Sequence, residues 1–330
     1  MSSPVVLPVD RLAALWPREL KGLRLGALLH AASITSQCQP VVDLLGALDG
    51  ELFQLTTLFG PQHGFAGTTQ DNMIEWDGYR HPQLGVPVYS LYGEHRQPTP
   101  EMLRNMDVLL VDLMDVGSRY YTFIWSLYLC MKASAAAGIH VVVCDRPNPI
   151  NGVDREGEVI QDGYFSFVGL HPIPVRHAKT IGELAQQFKV EAFPDCQLTV
   201  LPMENWDRSM WFDQTGLPWA MPSPNMPTLD TAIVYPGMCL LEATNLSEGR
   251  GTTRPFETFG APWIDGYTLT RTLNQLQLPG VHFREIAFEP TFQKHARKVC
   301  QGAFLHVTDR NAFRSLHATK AILTTIRDQY

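Results

Sequence analysis

Short apolar runs alternating with helical patterns in the first half of this chain leave few folds open to it. Leu23 to Leu29, Leu52 to Phe59, Asp107 to Asp112 and Ile139 to Cys144 have strand length and the near-continuous apolar character of strands covered on both faces. Val86 to Ser90 is a further strand, shortened by Pro87 and therefore expected near an edge. Between the strands, Val41 to Leu48 and Tyr121 to Ala137 read as helices. Thr99-Pro100-Glu101 is a helix start, with Thr99 as N-cap and Pro100 in the first turn. This alternation predicts an α/β domain with a parallel sheet and right-handed crossovers. The second half is richer in Pro and Trp and less periodic. Thr180-Ile-Gly-Glu183 is a capping box opening a helix through about Phe188, Phe304 to Thr308 reads as a strand, and Ala312 to Tyr330 as a helix. At 330 residues two packed domains are expected, with the break between Gly152 and His171. We divide the chain into a parallel-sheet domain over 1–160 and a second, smaller α/β domain over 161–330.

Composition excludes several classes of function. A net charge of -7 with no basic run argues against nucleic acid as a partner. No apolar stretch approaches a bilayer span, and Met1 to Pro8 lacks the features of a signal peptide. Cytoplasm is thus the default compartment, with a periplasmic or secreted one the reading if a leader had been removed. Oligomeric state stays open. The six cysteines are scattered without a C-x-x-C. Cys130 and Cys144 read as small core residues. No H-E-x-x-H or tight His/Asp cluster predicts a metal, and no G-x-G-x-x-G or P-loop predicts a nucleotide, so no cofactor is expected. The absence of G-x-S-x-G weakens a serine-hydrolase reading.

In an open α/β sheet, ligands bind beyond the carboxyl ends of the strands. Those ends carry this chain's unusual residues: His30, then Gln62 and His63, Tyr92, the stretch Asp112 to Thr122, and Asp145 to Asn151. His63, flanked by Gln62 and Gly64, is the most site-like histidine, whereas His177 is as readily structural. Asp112 either caps the following turn or enters the site. Asp115 and Arg119 are spaced either as an i, i+4 ion pair or as site residues. Of Tyr120 and Tyr121, one is expected to face the core and the other a ligand. Arg146 and Asn148 in the rigid Arg-Pro-Asn-Pro turn either bind a carboxylate or tie the loop down.

Leu240 to Arg254 is the other dense segment. Glu242 and Glu248 stand there with Asn245, Arg250, Arg254 and two glycines, after the apolar lead-in Met238 to Leu241. We read the lead-in as a buried strand delivering a polar loop to a polyol or anion site. The competing reading is a solvated turn with ordinary surface ion pairs.

Phe59-Gly-Pro-Gln-His-Gly-Phe65, Val88-Tyr-Ser-Leu-Tyr-Gly93, Asp112-Leu-Met-Asp-Val-Gly-Ser-Arg-Tyr-Tyr-Thr122 and Asp145-Arg-Pro-Asn-Pro-Ile-Asn-Gly152 together resemble the NamZ-type exo-β-N-acetylmuramidases. Pro172-Ile-Pro-Val-Arg-His177, Pro222-Ser-Pro-Asn-Met-Pro-Thr228 and Asn245 to Glu257 continue the likeness, which runs from about residue 23 to the C-terminus. The resemblance implies a Rossmann-like domain joined to a second α/β domain, with a cleft between them. It also implies release of terminal N-acetylmuramic acid (MurNAc) from the non-reducing ends of peptidoglycan fragments. Such chemistry calls for a carboxylic acid at the leaving oxygen and a second group at the anomeric carbon. Glu242 and Glu248 are the expected acid/base candidates, with Asp115 third, and His63 and Asp115 would position the sugar or a water. Arg146, Arg250 or Arg254 would meet the lactyl carboxylate. Gln62, Arg119, Tyr121, Asn148, Asn151, Asn225 and Asn245 suit hydroxyl and acetamido groups, and Tyr92 or Trp219 a sugar face.

Two departures bear on this expectation. Many members of the family carry Gly-Pro-Glu-His-Gly where this chain has Gln62, and Gln62 is no proton donor of the acid kind. The chain also stops in a helical pattern at Tyr330, where relatives extend further; the end is read either as a genuine truncation or as a trimmed one, and if the tail normally closes the cleft, lower activity or dependence on a partner subunit is expected. The alternative to the hydrolase is a non-catalytic muropeptide-binding protein on the same scaffold. A third reading is an amidase or esterase.

Overall fold

The computed structural model describes residues 3–71 and 73–330. Met1 and Ser2, part of the segment read for a leader, lie outside the described residues. The chain divides into two compact units: 1–154, 160–172 and 178–224 form the first, and 155–159, 173–177 and 225–330 the second. The expected division at residue 160 falls where the chain passes back and forth between the units, and the main break comes at 224/225.

The first unit holds a seven-stranded sheet. Its strands are β1 (Arg24–Leu29), β2 (Gln54–Gly60), β3 (Tyr79–Arg80), β4 (Pro87–Ser90), β5 (Val108–Asp112), β6 (His140–Cys144) and β7 (Leu198–Leu201). The order is β3-β4-β2-β1-β5-β6-β7, parallel throughout except for β3, which pairs antiparallel with β4 at one edge. With that short edge strand set aside, the six parallel strands follow the Rossmann order 3-2-1-4-5-6. Its topological switch point lies between β1 and β5.

Both faces of the sheet are covered, which is why these strands read as unbroken apolar runs. On one side Leu25, Ala27 and Leu29 pack with Val41 and Leu45 of the Val41–Leu48 helix, and Trp16 meets Phe53 edge-on at 5.2 Å. Phe123–Ala137 is apolar nearly all round because it packs on the sheet and against Ile181–Glu191, where Trp125 and Tyr128 meet Phe188 at 5.9 and 5.0 Å. The Thr180 capping box forms as expected, but the helix runs on to Glu191. Cys130 and Cys144 are buried, and all six cysteines are unpaired.

The second unit centres on a three-stranded antiparallel sheet, β8 (Thr258–Ala261), β10 (Cys300–Val307) and β9 (Val281–Phe288), in that order. The Leu229–Met238 and Ser315–Gln329 helices pack together, as do Gly266–Gln275 and β9. The expected strand at Met238 to Leu241 is instead the end of Leu229–Met238 followed by a 3-10 turn over Cys239–Ala243. Every residue from Thr231 to Met238 is buried, so this helix shows no polar face and its apolar run mimics a strand. No helix among the described residues is long and apolar enough to cross a membrane.

Candidate functional site

In the first unit the strand ends gather the residues singled out in the sequence. His30 follows β1, buried, its ring 4.9 Å from that of Phe123. Its Nδ1 accepts from the Ala32 N–H at 3.2 Å. Burial, with His63 adding to it, pulls the His30 imidazole down to about 3, so it is neutral at physiological pH. His63, after β2, is buried with a left-handed φ of 72°, and its Nδ1 sits 3.2 Å from the Thr69 carbonyl. Beside it, Gln62 Oε1 accepts from Thr122 Oγ1 at 2.7 Å, tying the β2 and β5 loops together and leaving the Gln62 amide N–H groups for other partners.

The loop after β5 is not helical until Phe123, so the i, i+4 ion-pair geometry does not apply to Asp115 and Arg119. Asp115 Oδ2 instead accepts from the Gly117 N–H at 2.7 Å in a tight turn. Gly117 has φ +82°, and a Cβ there would lie 2.6 Å from Asn148 Oδ1 and from the Ile150 side chain, so only glycine lets the β5 and β6 loops meet this closely. Tyr121 is buried edge-on against Phe123 at 4.8 Å, while Tyr120 is partly exposed with the Arg119 guanidinium 5.4 Å from its ring.

Several expected ligand contacts are replaced by internal ones. Arg146 Nε and Nη2 each reach Asp112 at 2.7 Å, and Nη2 also donates to the Ile34 carbonyl at 2.7 Å. Asp112 is fully buried, so this pair is a brace between β1, β5 and β6 and not a carboxylate receptor. Asn148 donates to the Lys179 carbonyl at 2.9 Å and accepts from the Ile150 N–H at 3.1 Å. Asn151 bonds Asp154 and the N–H groups of Val153 and Asp154. Tyr92 is buried with the Arg96 guanidinium 3.8 Å over its ring, which occupies a face expected for a sugar. Trp219 packs edge-on against Phe212 at 5.1 Å.

Beside the switch point, the space around Arg146 is small. Leu7, Ala32, Ile34, Met114, Phe212 and Leu217 close around Arg146, leaving a cavity of about 10 Å³. That is room for about one water, against ~300 Å³ or more for a small-molecule pocket.

In the second unit, Glu242 and Glu248 converge on Arg250. Glu242 Oε1 accepts from Arg250 Nε at 3.0 Å and Nη2 at 2.6 Å. Its Oε2 accepts no hydrogen bond among the described residues, and the side chain is 28% exposed. Glu248 is 1% exposed and lies between two cations, with Arg250 Nε 3.5 Å from Oε1 and Lys294 Nζ 2.9 Å from Oε2. Burial pulls the Arg250 guanidinium down, but the charge and hydrogen bonds of Glu242 outweigh it and hold Arg250 above its ordinary range. The Phe256 ring lies 5.0 Å from the same guanidinium.

Backbone contacts fix this arrangement. Ser247 exchanges hydrogen bonds with Gly260 of β8 at 2.8 and 3.0 Å, and the Phe256 N–H reaches the Glu248 carbonyl at 2.6 Å. Gly251, at φ +80°, lies so close to the Phe292 backbone that a Cβ would come within 2.8 Å of it. Arg254 is exposed and turns to Glu257 at 3.4 Å, and the buried Glu257 also accepts from Thr231 Oγ1 at 2.7 Å. Burial raises the Glu257 carboxyl above the usual range. Asn225 is buried, while Asn245 is exposed and offers its carbonyl to His295 Nε2 at 2.7 Å. Sequence reasoning missed Lys294 and Glu257. Glu257 ends a motif already noted, whereas Lys294 carries no local signal. Among the described residues, no three His, Cys, Asp or Glu side chains converge as a metal site.

The N-terminal domain of exo-β-N-acetylmuramidase NamZ matches residues 25–230, and the C-terminal domain matches 233–330. A peptidoglycan β-N-acetylmuramidase NamZ from Bacillus subtilis is 47% identical over 322 residues, covering 98% of this chain and 77% of the relative. A crystal structure of a DUF1343 family protein from Bacteroides fragilis superposes with a TM-score of 0.92 at 34% identity, covering 99% of this chain and 83% of the other. A second from the same organism gives 0.75 at 28%, with the same coverage. The chain belongs to the NamZ exo-β-N-acetylmuramidase family.

Proposed function

We propose that this protein is a glycoside hydrolase that releases terminal N-acetylmuramic acid from the non-reducing ends of peptidoglycan fragments. Kinship with a named peptidoglycan β-N-acetylmuramidase at 47% identity supports the reaction class. The observation that carries the chemical reading is the carboxylate pair on Arg250. Glu242 keeps one oxygen without a hydrogen bond and part of its side chain open to solvent, as a group that meets a glycosidic oxygen must. Glu248 is sealed between Arg250 and Lys294, which suits a group that orients its neighbours better than one that touches substrate. Glu242 is therefore the acid/base in this reading, with Arg250 and Glu248 holding it. Within the first unit, Gln62, His63 and Asp115 are proposed, separately, as groups able to bind polar ligand atoms or water, a role open to Gln62 because its amide remains a donor.

The test is Glu242→Gln and Glu248→Gln on a chromogenic β-MurNAc glycoside. Glu242→Gln should lose about 10²–10⁴-fold in kcat with KM nearly unchanged. A Glu242→Gln enzyme with wild-type kcat would remove Glu242 from the acid/base role.

A further inference from the structure

We infer that Lys294 is a positioning residue: its ammonium is a tethered cation that moulds the Leu241–Leu246 segment around itself and thereby sets Glu242. This rests on the reading of Glu242 as the acid/base. Lys294 Nζ donates toward four backbone carbonyls, those of Leu241 at 2.7 Å, Glu242 at 3.2 Å, Thr244 at 3.1 Å and Leu246 at 2.8 Å. Glu248 Oε2 completes the shell at 2.9 Å. An ammonium has three protons, and here five oxygens converge on it. Such a shell is what a bare monovalent cation collects from a chain. Those carbonyls converge because something positive sits among them, since partly buried carbonyl dipoles turned on one point repel each other.

The contacts also close a ring. Lys294 pairs with Glu248, Glu248 with Arg250, Arg250 with the Glu242 side chain, and the Glu242 carbonyl returns to Lys294. Moving Lys294 therefore moves Glu242 through its backbone and through its ion pair together. The segment that delivers the lysine is built for the purpose. Gln293 and His295, on either side of it, both take left-handed φ values of 67° and 57°, a conformation that side chains other than glycine adopt rarely. Thr291 bonds the Gly251 carbonyl through both its N–H and its hydroxyl, at 2.9 and 3.0 Å, and His295 reaches the Asn245 carbonyl. The lysine is thus pinned on one side to Gly251 and on the other to Asn245, within the segment it organises. Thr291, Gln293, Lys294 and His295 belong to no motif noted in the sequence.

The experiment is Lys294→Ala in the full chain, with potassium, ammonium or methylammonium chloride against choline chloride at equal ionic strength. Without added cation, kcat on the β-MurNAc glycoside should fall about 10²-fold with little change in KM, the size expected when a catalytic group is misplaced by about an ångström. Ammonium or methylammonium should restore kcat saturably by at least about tenfold and raise Tm, because the emptied shell again holds a cation. Lys294→Arg should not substitute, since a planar guanidinium cannot bring its donors to one point. Wild-type kcat in Lys294→Ala, or a loss that no cation relieves, would overturn the proposal. If Lys294→Ala folds poorly, its Tm decides: a rise with ammonium that choline does not give supports the cage, and an equal response to both refutes it. That thermal readout needs no turnover, so an inactive wild type would count against the hydrolase reading and leave the cage separately decided.

Discussion

Replacing Arg146 by Met separates a brace from a ligand-binding arginine. Arg146 makes two 2.7 Å bonds to a carboxylate with no solvent exposure and a third to the Ile34 carbonyl, and its own side chain is 7% exposed. Removing one partner of a buried pair leaves the other charge uncompensated and costs about 3–5 kcal/mol. For a unit of this size each kcal/mol shifts Tm by roughly 2–4 °C, so Arg146→Met should lower Tm by roughly 6–20 °C. Asp112→Leu should do the same. The double variant should recover most of the loss, retaining about 1–3 kcal/mol from the orphaned Ile34 carbonyl. Thermal and urea denaturation of the four proteins close the cycle. If Arg146→Met instead kept its Tm and raised KM tenfold on a MurNAc glycoside, Arg146 would be a substrate contact and the brace argument would fail.

Two further changes test the framework. Thr180 accepts from the Glu183 N–H and donates to Asp145, so Thr180→Ala should cost about 2 kcal/mol, read as a Tm lower by roughly 4–8 °C. The pH dependence of stability should show two opposed contributions in acid. Burial lowers His30 from 6.5 to about 3, so its contribution is complete above pH 6.5 and is lost as pH falls toward 3, by roughly 5 kcal/mol at most. Burial raises Asp145 from 3.8 to about 6, so the fold favours its neutral form. That contribution is complete below pH 3.8 and is lost as pH rises through 6, by roughly 3 kcal/mol at most. Urea unfolding from pH 4 to 7 should therefore give a flatter acid limb for His30→Asn and a steeper one for Asp145→Asn. Matching slopes in both variants would show that neither shift exists.

The parallel sheet was legible because each strand is covered on both faces and so carries its burial in its own composition. Leu25 to Leu29 and Val108 to Val111 are apolar whatever follows them. The Thr180 capping box is equally local, since both of its hydrogen bonds span three residues. Met238 to Leu241 was misread because a helix end buried on every side leaves no period to detect. The antiparallel sheet was mostly missed because β9 is exposed along much of its length, which dilutes its apolar pattern. The site residues were legible as types and not as roles. Arg146 looks free until its partner, 34 positions earlier, is placed beside it. Asn151 is spent within its own turn, and Asn148 is divided between its turn and the distant Lys179 carbonyl, which residue type does not reveal. Lys294 acts on carbonyls about fifty positions away, and backbone acceptors leave no mark in a sequence.

The most direct measurement is hydrolysis of a chromogenic β-MurNAc glycoside by the wild-type chain, with the matching β-GlcNAc glycoside alongside. The account predicts release from the MurNAc compound alone, with Gln62 in place, since the acid/base is assigned to Glu242. Binding of MurNAc without release from either glycoside, by folded protein, would contradict it and leave a muropeptide-binding protein built on the hydrolase scaffold.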